Sequence, residues 1–268
     1  MSRALGGRRI VVTRPREDGR LRRLLEAEGA EVLEFPTIRI MPAADYGPLD
    51  AALRRIGDYG WVVFTSRNGV AAVIERLTAL GATAQALGGA RLAVIGPGTD
   101  EALRDHGLRA VLSPGEFRAE ALVAAFGRYD LRGVHILLPR AAVARDVLPE
   151  GLRALGAAVD VVPAYRTEAD DAPAPAVLEA VRAGRIDAMT FTSSSTVRYF
   201  LQLAGPDVRR ALGGVLVACI GPVTAATARA AGLRVGVVAT TYTLAGLVDA
   251  LRAALSPRPG PAVTSGGR

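Results

Sequence analysis

The chain has 268 residues, 50% of them hydrophobic, and a formal net charge of +7; this composition excludes wholesale disorder and suits one large or two small domains. Its 33 basic residues are all arginine, which excludes a lysine Schiff base and the lysine-dependent phosphate loop of nucleotide-binding proteins. One cysteine and two histidines provide neither a disulfide nor a zinc cluster, and no apolar run is long enough to span a membrane.

The first half of the chain alternates short apolar runs with helix-like stretches. Strands are predicted at Ile10–Val12, Trp61–Phe64 and Leu92–Ile95, and a loop of small residues follows each. After the second strand, apolar residues recur at the i, i+3, i+4, i+7 spacing of a helix, namely at Val70, Val73, Ile74 and Leu77. Gly81 and Gly107, and Gly232 in the second half, stand just past predicted helix ends, as C-terminal caps do. Apolar strands that alternate with helices predict a parallel sheet covered on both faces.

The second half of the chain repeats the first in the same order. FTSRNGV (64–70) resembles FTSSSTV (191–197), 127 positions later, and IGPGT (95–99) resembles IGPVT (220–224), 125 positions later. A third pair begins at RRIVVTRP and at RGVHILLPR. Three pairs with nearly constant offset predict an internal duplication, and therefore two α/β domains.

Two matching segments, EFPTIRIMP (34–42) and VVPAYRTEA (161–169), contain proline and are predicted to be extended. We expect them to run side by side as a link between the domains. The C-terminal stretch SPRPGPAVTSGGR is rich in proline, glycine and serine and is predicted to be disordered.

The loops after the predicted strands are the candidate ligand site, because ligands bind at the carboxyl ends of strands in an open parallel sheet. Hydroxyls, glycines and free N–H groups at helix starts suit an anion. Any one hydroxyl is better explained as a helix cap worth about 1 kcal/mol, but four such loops predict two mouths that face each other across a cleft for a polyanionic ligand. The candidates are Thr65, Ser66, Arg67, Gly96, Thr99, Thr192, Ser193, Ser194, Ser195, Gly221 and Thr224.

Five segments together resemble the uroporphyrinogen-III synthase family: FTSRNGV, IGPGTDEALRDHGL, VVPAYRT, TFTSSSTVRYF and CIGPVTAATARAAGL. The resemblance covers about residues 8–255. It implies two flavodoxin-like parallel-sheet domains, one discontinuous (1–36 plus 168–257) and one continuous (41–163), joined by linker strands at 37–40 and 164–167, with a disordered tail at 258–268. The second copy has SSS where the family commonly has a proline, so the backbone shape of that loop stays open.

The resemblance implies a cyclising lyase that uses no cofactor and no metal. Its substrate is hydroxymethylbilane, a linear tetrapyrrole with carboxylate arms, which is closed to uroporphyrinogen III with inversion of the terminal pyrrole ring and loss of water. Tyr165 matches the family's linker tyrosine and is expected either to donate a hydrogen bond to the departing hydroxyl or to pack between the domains. Thr224 matches the threonine of Gly-Pro-x-Thr and is expected to bind a carboxylate or the leaving oxygen. Arg14 and Arg140 follow equivalent strands, and each is expected equally to contact the substrate or to form a surface salt bridge.

The alternative is a cytoplasmic two-domain protein that binds or senses a small anion without catalysis, although the sequence lacks a segment for output. A glycosyltransferase normally needs more residues and an acidic nucleotide-sugar motif. Arginine is spread along the chain without interleaved aromatics, so no nucleic-acid partner is expected. The basic start lacks the apolar stretch of a secretory signal, which predicts a cytoplasmic protein. We expect a monomer without membrane contact that can receive its unstable substrate through transient contact with the preceding enzyme.

Overall fold

The computed structural model describes residues 4–14, 19–170 and 174–255. The chain divides into two compact units: unit 1 comprises Met1–Ile38 and Asp170–Arg268, and unit 2 comprises Arg39–Ala169. The predicted tail, 258–268, lies outside the described residues. Across the described part of the chain, every helix is too short or too polar to cross a membrane.

Strands and helices alternate along most of the chain. The strands are β1 Arg9–Val12, β2 Glu31–Glu34, β3 Ile38–Pro42, β4 Trp61–Phe64, β5 Arg91–Val94, β6 His135–Ala141, β7 Ala158–Ala169, β8 Ala188–Phe191, β9 Leu216–Cys219 and β10 Val235–Val238. The α-helices are α1 Arg20–Ala27, α2 Gly47–Arg54, α3 Arg67–Ala79, α4 Pro97–Arg104, α5 Ala119–Phe126, α6 Val147–Ala154, α7 Pro175–Arg182, α8 Ser194–Ala211, α9 Pro222–Ala230 and α10 Leu244–Leu255.

Unit 1 contains a sheet with the strand order β2-β1-β8-β9-β10. Its neighbouring strands run parallel, and Ile10 lies opposite Val32 on one side and Ala188 on the other. In chain order within the unit, the sheet reads 2-1-3-4-5. The order reverses between β1 and β8, and in open α/β sheets ligands bind at the carboxyl ends of strands at such a point.

Unit 2 contains a sheet with the strand order β3-β7-β6-β4-β5. The pairs β4–β5, β4–β6 and β6–β7 are parallel, and the short bridge from Ala93 to Leu112 is parallel as well. The direction in which successive strands are added reverses between β6 and β4. The chain passes from β4 outward to β5 on one side, and from β6 outward to β7 on the other. The two segments expected to be extended do contain strands, since β3 lies within 34–42 and 161–169 falls within β7.

Both faces of each sheet are covered, as predicted from the apolar runs. In β4, Val62 and Phe64 pack with α2 and α3, whereas Trp61 and Val63 pack with α5 and α6. In unit 1, Val11 likewise packs on the layer of α7 and α8, and its neighbours in β1 pack on the layer of α1 and α10. Alternate side chains of a strand point to opposite faces, so each helical layer receives every second residue. Continuous apolar strands are the consequence.

Glycines end several helices in the way that the sequence predicts. Gly81, Gly107 and Gly232 follow α3, α4 and α9 and have φ angles of 77°, 74° and 81°. This left-handed backbone region disfavours residues with a β-carbon, whereas glycine adopts it freely. The three helix ends predicted from these glycines are therefore confirmed.

Asp50 of α2 is a carboxylate that is only 8% exposed. Both of its oxygens accept hydrogen bonds from the Arg76 guanidinium of α3, and the Nη2–Oδ2 distance is 2.5 Å. The Arg76 Cζ also lies 4.6 Å from the centre of the Tyr46 ring. The hydrogen bond from Arg76 holds the pKa of Asp50 below its ordinary value. A carboxyl whose pKa is depressed in the folded state stabilises the fold above its unfolded pKa, and this contribution is lost as the pH falls through the folded pKa.

We expect Asp50→Asn to lower the free energy of unfolding by about 2 kcal/mol at pH 7, because Arg76 loses a charged bidentate partner. The difference between the variant and the parent should shrink as the pH falls below about 4, the ordinary pKa of an aspartate, because the unfolded chain then binds a proton that folded Asp50 binds only at lower pH. Urea titrations at pH 7 and at pH 3 measure both values. Asp130→Asn is the control, because Asp130 pairs with Arg132 on the surface and should have a much smaller effect. A loss that is equal at both pH values would contradict this role of the ion pair.

Candidate functional site

In unit 2, two strand-to-helix loops lie side by side at the carboxyl edge of the sheet. Ser66 ends the loop after β4 and caps α3, since its Oγ accepts a hydrogen bond from the Gly69 N–H at 3.0 Å. Thr65 lies between that cap and the strand. Gly96 takes the same capping position before α4. The parallel pairing of β4 with β5 brings both helix starts to one edge of the sheet.

Ser66 also contacts the tyrosine that the sequence singles out. The Ser66 Oγ and the Tyr165 hydroxyl oxygen are 2.9 Å apart. Tyr165 belongs to β7 and is only 8% exposed, packed in the same apolar cluster as Phe64 and Val70. The structure therefore assigns this phenol to the interior of unit 2, with its hydroxyl at the helix cap.

The surroundings of Tyr165 determine what its hydroxyl can do. Burial raises the pKa of Tyr165, and the hydrogen bond with Ser66 lowers it by less. The phenol is therefore protonated at neutral pH and can serve as a donor. Because Ser66 Oγ already accepts from Gly69, its own proton can go to the Tyr165 oxygen, and Tyr165 then keeps its proton for another acceptor.

The two candidate arginines of unit 2 have protein partners. Arg67 Nη1 donates to the Gly98 carbonyl at 2.8 Å and to Glu101 at 2.6 Å, which ties the start of α3 to α4. Arg140 donates to the Arg145 carbonyl at 2.8 Å and to Asp146 at 2.7 Å. The Arg140 side chain is only 12% exposed and braces the loop between β6 and α6. Arg140 thus forms a salt bridge with Asp146.

In unit 1, the switch point between β1 and β8 brings Arg14 to the loop after β8. Arg14 Nη1 donates to Thr192 Oγ1 at 3.0 Å. Ser193 caps α8 by accepting from the Thr196 N–H at 3.2 Å, and the Thr196 hydroxyl oxygen accepts in turn from the Ser193 N–H. Ser193, the first residue of SSS, and Thr196 therefore form a capping box. The loop whose backbone shape the sequence left open thus has the shape of a capped helix start.

The remaining serines of this loop are hydrogen-bonded to other hydroxyls. Ser193 Oγ lies 2.9 Å from Ser195 Oγ, and Ser194 Oγ lies 2.7 Å from Thr227 Oγ1. Thr227 in turn donates to the Val223 carbonyl of α9. Thr227 was not among the candidates from the sequence. The feature of the sequence that points to it is its position three residues after Thr224, on the same face of α9.

Two threonines occupy equivalent positions near the starts of α4 and α9. Thr99 and Thr224 each lie three residues after the capping glycine, Gly96 or Gly221, and each is 5% exposed. Among the described residues, neither hydroxyl has a hydrogen-bond partner. Neither oxygen is among the fully buried unpaired side-chain atoms of the described residues, so each hydroxyl stays accessible to water or to a ligand at the helix start.

The candidate residues therefore form two groups, one in each unit. Unit 2 brings together Thr65, Ser66, Arg67, Gly96, Thr99, Arg140 and Tyr165, whereas unit 1 brings together Arg14, Thr192, Ser193, Ser194, Ser195, Gly221 and Thr224. The two residues predicted to be catalytic, Tyr165 and Thr224, belong to different units. Both groups offer neutral hydroxyls and N–H groups at helix starts, the chemistry that binds carboxylates. Within the described residues, no three His, Cys, Asp or Glu side chains are grouped to hold a metal ion.

Comparison with known proteins shows a family to which nearly the whole chain is similar. A family model described as uroporphyrinogen-III synthase HemD matches residues 19–249. The uroporphyrinogen-III synthase of Synechococcus elongatus is 38% identical over 232 residues, which are 85% of this chain and 87% of that protein. A putative uroporphyrinogen-III synthase of Methanothermobacter thermautotrophicus is 33% identical over 248 residues, covering 90% of this chain and 96% of that protein.

The fold is similar to that of a solved structure. The crystal structure of a mutant uroporphyrinogen III synthase from Thermus thermophilus matches with a TM-score of 0.66 and 23% identity, over 93% of this chain and 99% of that one. At this level of identity the likeness concerns the α/β fold.

The hydrogen bond between Ser66 and Tyr165 can be tested by comparing two equivalent caps. We expect Ser66→Ala and Ser193→Ala each to cost about 1 kcal/mol of stability, because each helix loses its cap. Only Ser66→Ala should raise the pKa of Tyr165 further, since that hydrogen bond lowers it. Titration of the ¹³Cζ-tyrosine resonances by NMR measures the change. An unchanged Tyr165 pKa in Ser66→Ala, or an equal change in Ser193→Ala, would contradict the assigned contact.

Proposed function

Because the chain belongs to the uroporphyrinogen-III synthase family, we propose that it closes hydroxymethylbilane to uroporphyrinogen III. The single observation that carries the proposal is the family match over residues 19–249. The reaction inverts the terminal pyrrole ring and releases water, and the proposed mechanism uses neither a cofactor nor a metal. The chain is accordingly assigned to the cyclising lyases of tetrapyrrole biosynthesis.

The chemistry requires little from the protein beyond donors and positioning. Loss of the hydroxyl group as water, after protonation, converts the terminal carbinol into an azafulvene. The substituted α-carbon of the last pyrrole attacks this electrophile and forms a spiro intermediate, which opens and closes again with the ring inverted. In this proposal the enzyme holds the chain in the geometry that reaches the spiro intermediate, so no strong nucleophile is needed.

We assign to Tyr165 the donation of a hydrogen bond to the departing hydroxyl. The raised pKa of Tyr165 supports this role because it keeps the phenol protonated at neutral pH. Ser66 supports it by offering a proton to the phenol oxygen, 2.9 Å away, as the phenol donates its own. Ser66 is in this scheme a positioning residue, and its cap on α3 keeps the hydroxyl in place.

The acetate and propionate arms of the substrate are proposed to bind at the helix starts. Thr224 and Thr99 are mostly buried residues whose hydroxyls have no partner among the described residues, and the first turn of α9 or α4 offers N–H groups. Ser193, Ser194 and the loop residues around them extend this set in unit 1. Arg67 and Arg140 would have to exchange their present partners to contact a carboxylate, so we assign them to bracing the loops.

We propose two flavodoxin-like domains that arose by duplication, at 1–36 plus 168–257 and at 41–163, with linker strands at 37–40 and 164–167. The 2-1-3-4-5 strand order of unit 1, which is that of flavodoxin, supports this reading. The matching caps at Ser66 and Ser193, 127 positions apart, support it further.

We propose a cytoplasmic monomer that receives the unstable bilane by transient contact with the preceding enzyme. The alternative, an anion-binding or sensor protein without catalysis, is not favoured by the family assignment.

The reaction is tested with an isomer assay. We expect the protein, supplied with fresh hydroxymethylbilane, to yield mainly the type III porphyrin after oxidation of the product, because the unassisted bilane closes to type I. Chromatographic separation of the two porphyrins gives the ratio. Type I product alone, obtained from folded protein, would refute the synthase assignment.

The role of Tyr165 is tested with a conservative variant. We expect Tyr165→Phe to lower kcat by about 100-fold, the usual effect of losing a positioned proton donor. Tyr59→Phe is the matched control, because Tyr59 packs in the same cluster and donates to Asp160 at 2.6 Å. Tyr59 lies just before β4, at the opposite edge of the sheet from the helix starts. That variant should lose stability and keep its kcat. Full turnover by a stable Tyr165→Phe protein would exclude the donor role.

A further inference from the structure

Each unit holds an aromatic ring against the glycine of its Gly-Pro-x-Thr loop. A β-carbon built on Gly96 would lie 3.5 Å from Phe117 Cβ and 3.6 Å from its Cγ. A β-carbon built on Gly221 would lie 3.4 Å from Tyr242 Cγ and 3.5 Å from its Cδ1. These are van der Waals distances, so the two rings occupy equivalent places beside the starts of α4 and α9.

The rings are also equivalent in sequence. Phe117 follows Gly96 by 21 positions, and Tyr242 follows Gly221 by the same number. Each ring stands one residue before a helix cap: Arg118 precedes α5, and Thr243 accepts from the Gly246 N–H at the start of α10. The aromatic position thus belongs to the same repeat as the glycines.

One explanation for such a residue is a hydrophobic staple, in which the residue before the cap packs on the fourth residue of the helix. Leu122 and Leu247 occupy that fourth position and are fully buried. A staple needs an apolar side chain but not a ring. Both rings, moreover, are only partly buried, at the edge of the sheet where Thr99 and Thr224 lie.

We propose that Phe117 and Tyr242 bind pyrrole rings of the substrate. In each unit, the aromatic face contacts one pyrrole, and a carboxylate arm of that pyrrole reaches the first turn of α4 or α9 with its buried threonine. Aromatic contact, N–H donors and a hydroxyl together match a pyrrole that carries acidic arms. The inference rests on the proposed function, since it names how that substrate is held.

The test uses variants that keep the staple and remove the ring. Phe117→Leu and Tyr242→Leu retain an apolar side chain, and Phe117→Tyr and Tyr242→Phe retain a ring as controls. We expect each leucine variant to raise the KM for hydroxymethylbilane by about two- to tenfold, with kcat nearly unchanged, and the ring-retaining variants to match the parent. Thermal unfolding checks that the leucine variants stay folded.

A stable probe separates ring contact from carboxylate binding. Calorimetric titration with uroporphyrin III, a tetrapyrrole with eight carboxylates, should show the same loss of affinity in the leucine variants. Butane-1,2,3,4-tetracarboxylate has no ring, so its affinity should be the same for the leucine variants and for the parent.

The outcomes also distinguish this inference from the proposed function. If the parent forms type III product and the folded leucine variants keep its KM and its uroporphyrin affinity, the rings are staples only and the inference is wrong. If the parent forms only type I product, the synthase assignment fails, and the uroporphyrin titrations alone decide whether the rings bind a tetrapyrrole. A parent that neither forms type III nor binds uroporphyrin would overturn both.

Discussion

Burial of both faces of each parallel sheet is the constraint on which the rest of the molecule depends. Val62 and Trp61, neighbours in β4, face opposite helical layers, and both are almost completely buried. The central strands β4 and β8 are buried along their whole length, so the polar groups that can meet a ligand gather at the edge where these strands end. The helix starts gather at that edge, and with them gather the N–H groups and hydroxyls that attract anions.

Ser66 connects the start of α3 to Tyr165, the proposed hydrogen-bond donor. Its hydroxyl oxygen accepts a hydrogen bond from the Gly69 N–H in the first turn of α3. The same hydroxyl also forms a hydrogen bond with the Tyr165 phenol. Ser193 caps α8 in the equivalent place, but its second contact is Ser195. The same cap therefore serves two environments, a buried phenol in unit 2 and a cluster of hydroxyls in unit 1. The two loops therefore differ in the groups around the capping serine, although their sequences are similar.

The arginines contribute less to the candidate site than the net charge of +7 suggests. Arg67 and Arg140 each hold an acidic side chain and a backbone carbonyl, so they fix loop shape. Thr99 and Thr224, whose hydroxyls have no partner among the described residues, are neutral donors. Neutral donors at helix starts suit a reaction in which the protein orients a reactive substrate and supplies no nucleophile.

The sequence by itself determined the local structure. The strand at Trp61–Phe64 lies where its apolar run predicted it, and helices end at the predicted glycines, such as Gly81 and Gly107. Strand periodicity, caps and helix ends depend on residues within one turn or one strand, which a short stretch of sequence encodes. Only the tertiary structure decided that Ser66 meets Tyr165, 99 residues away, and that Arg67 is held by Glu101. Such contacts depend on strand order and register, which bring distant loops to one edge and which no local pattern records.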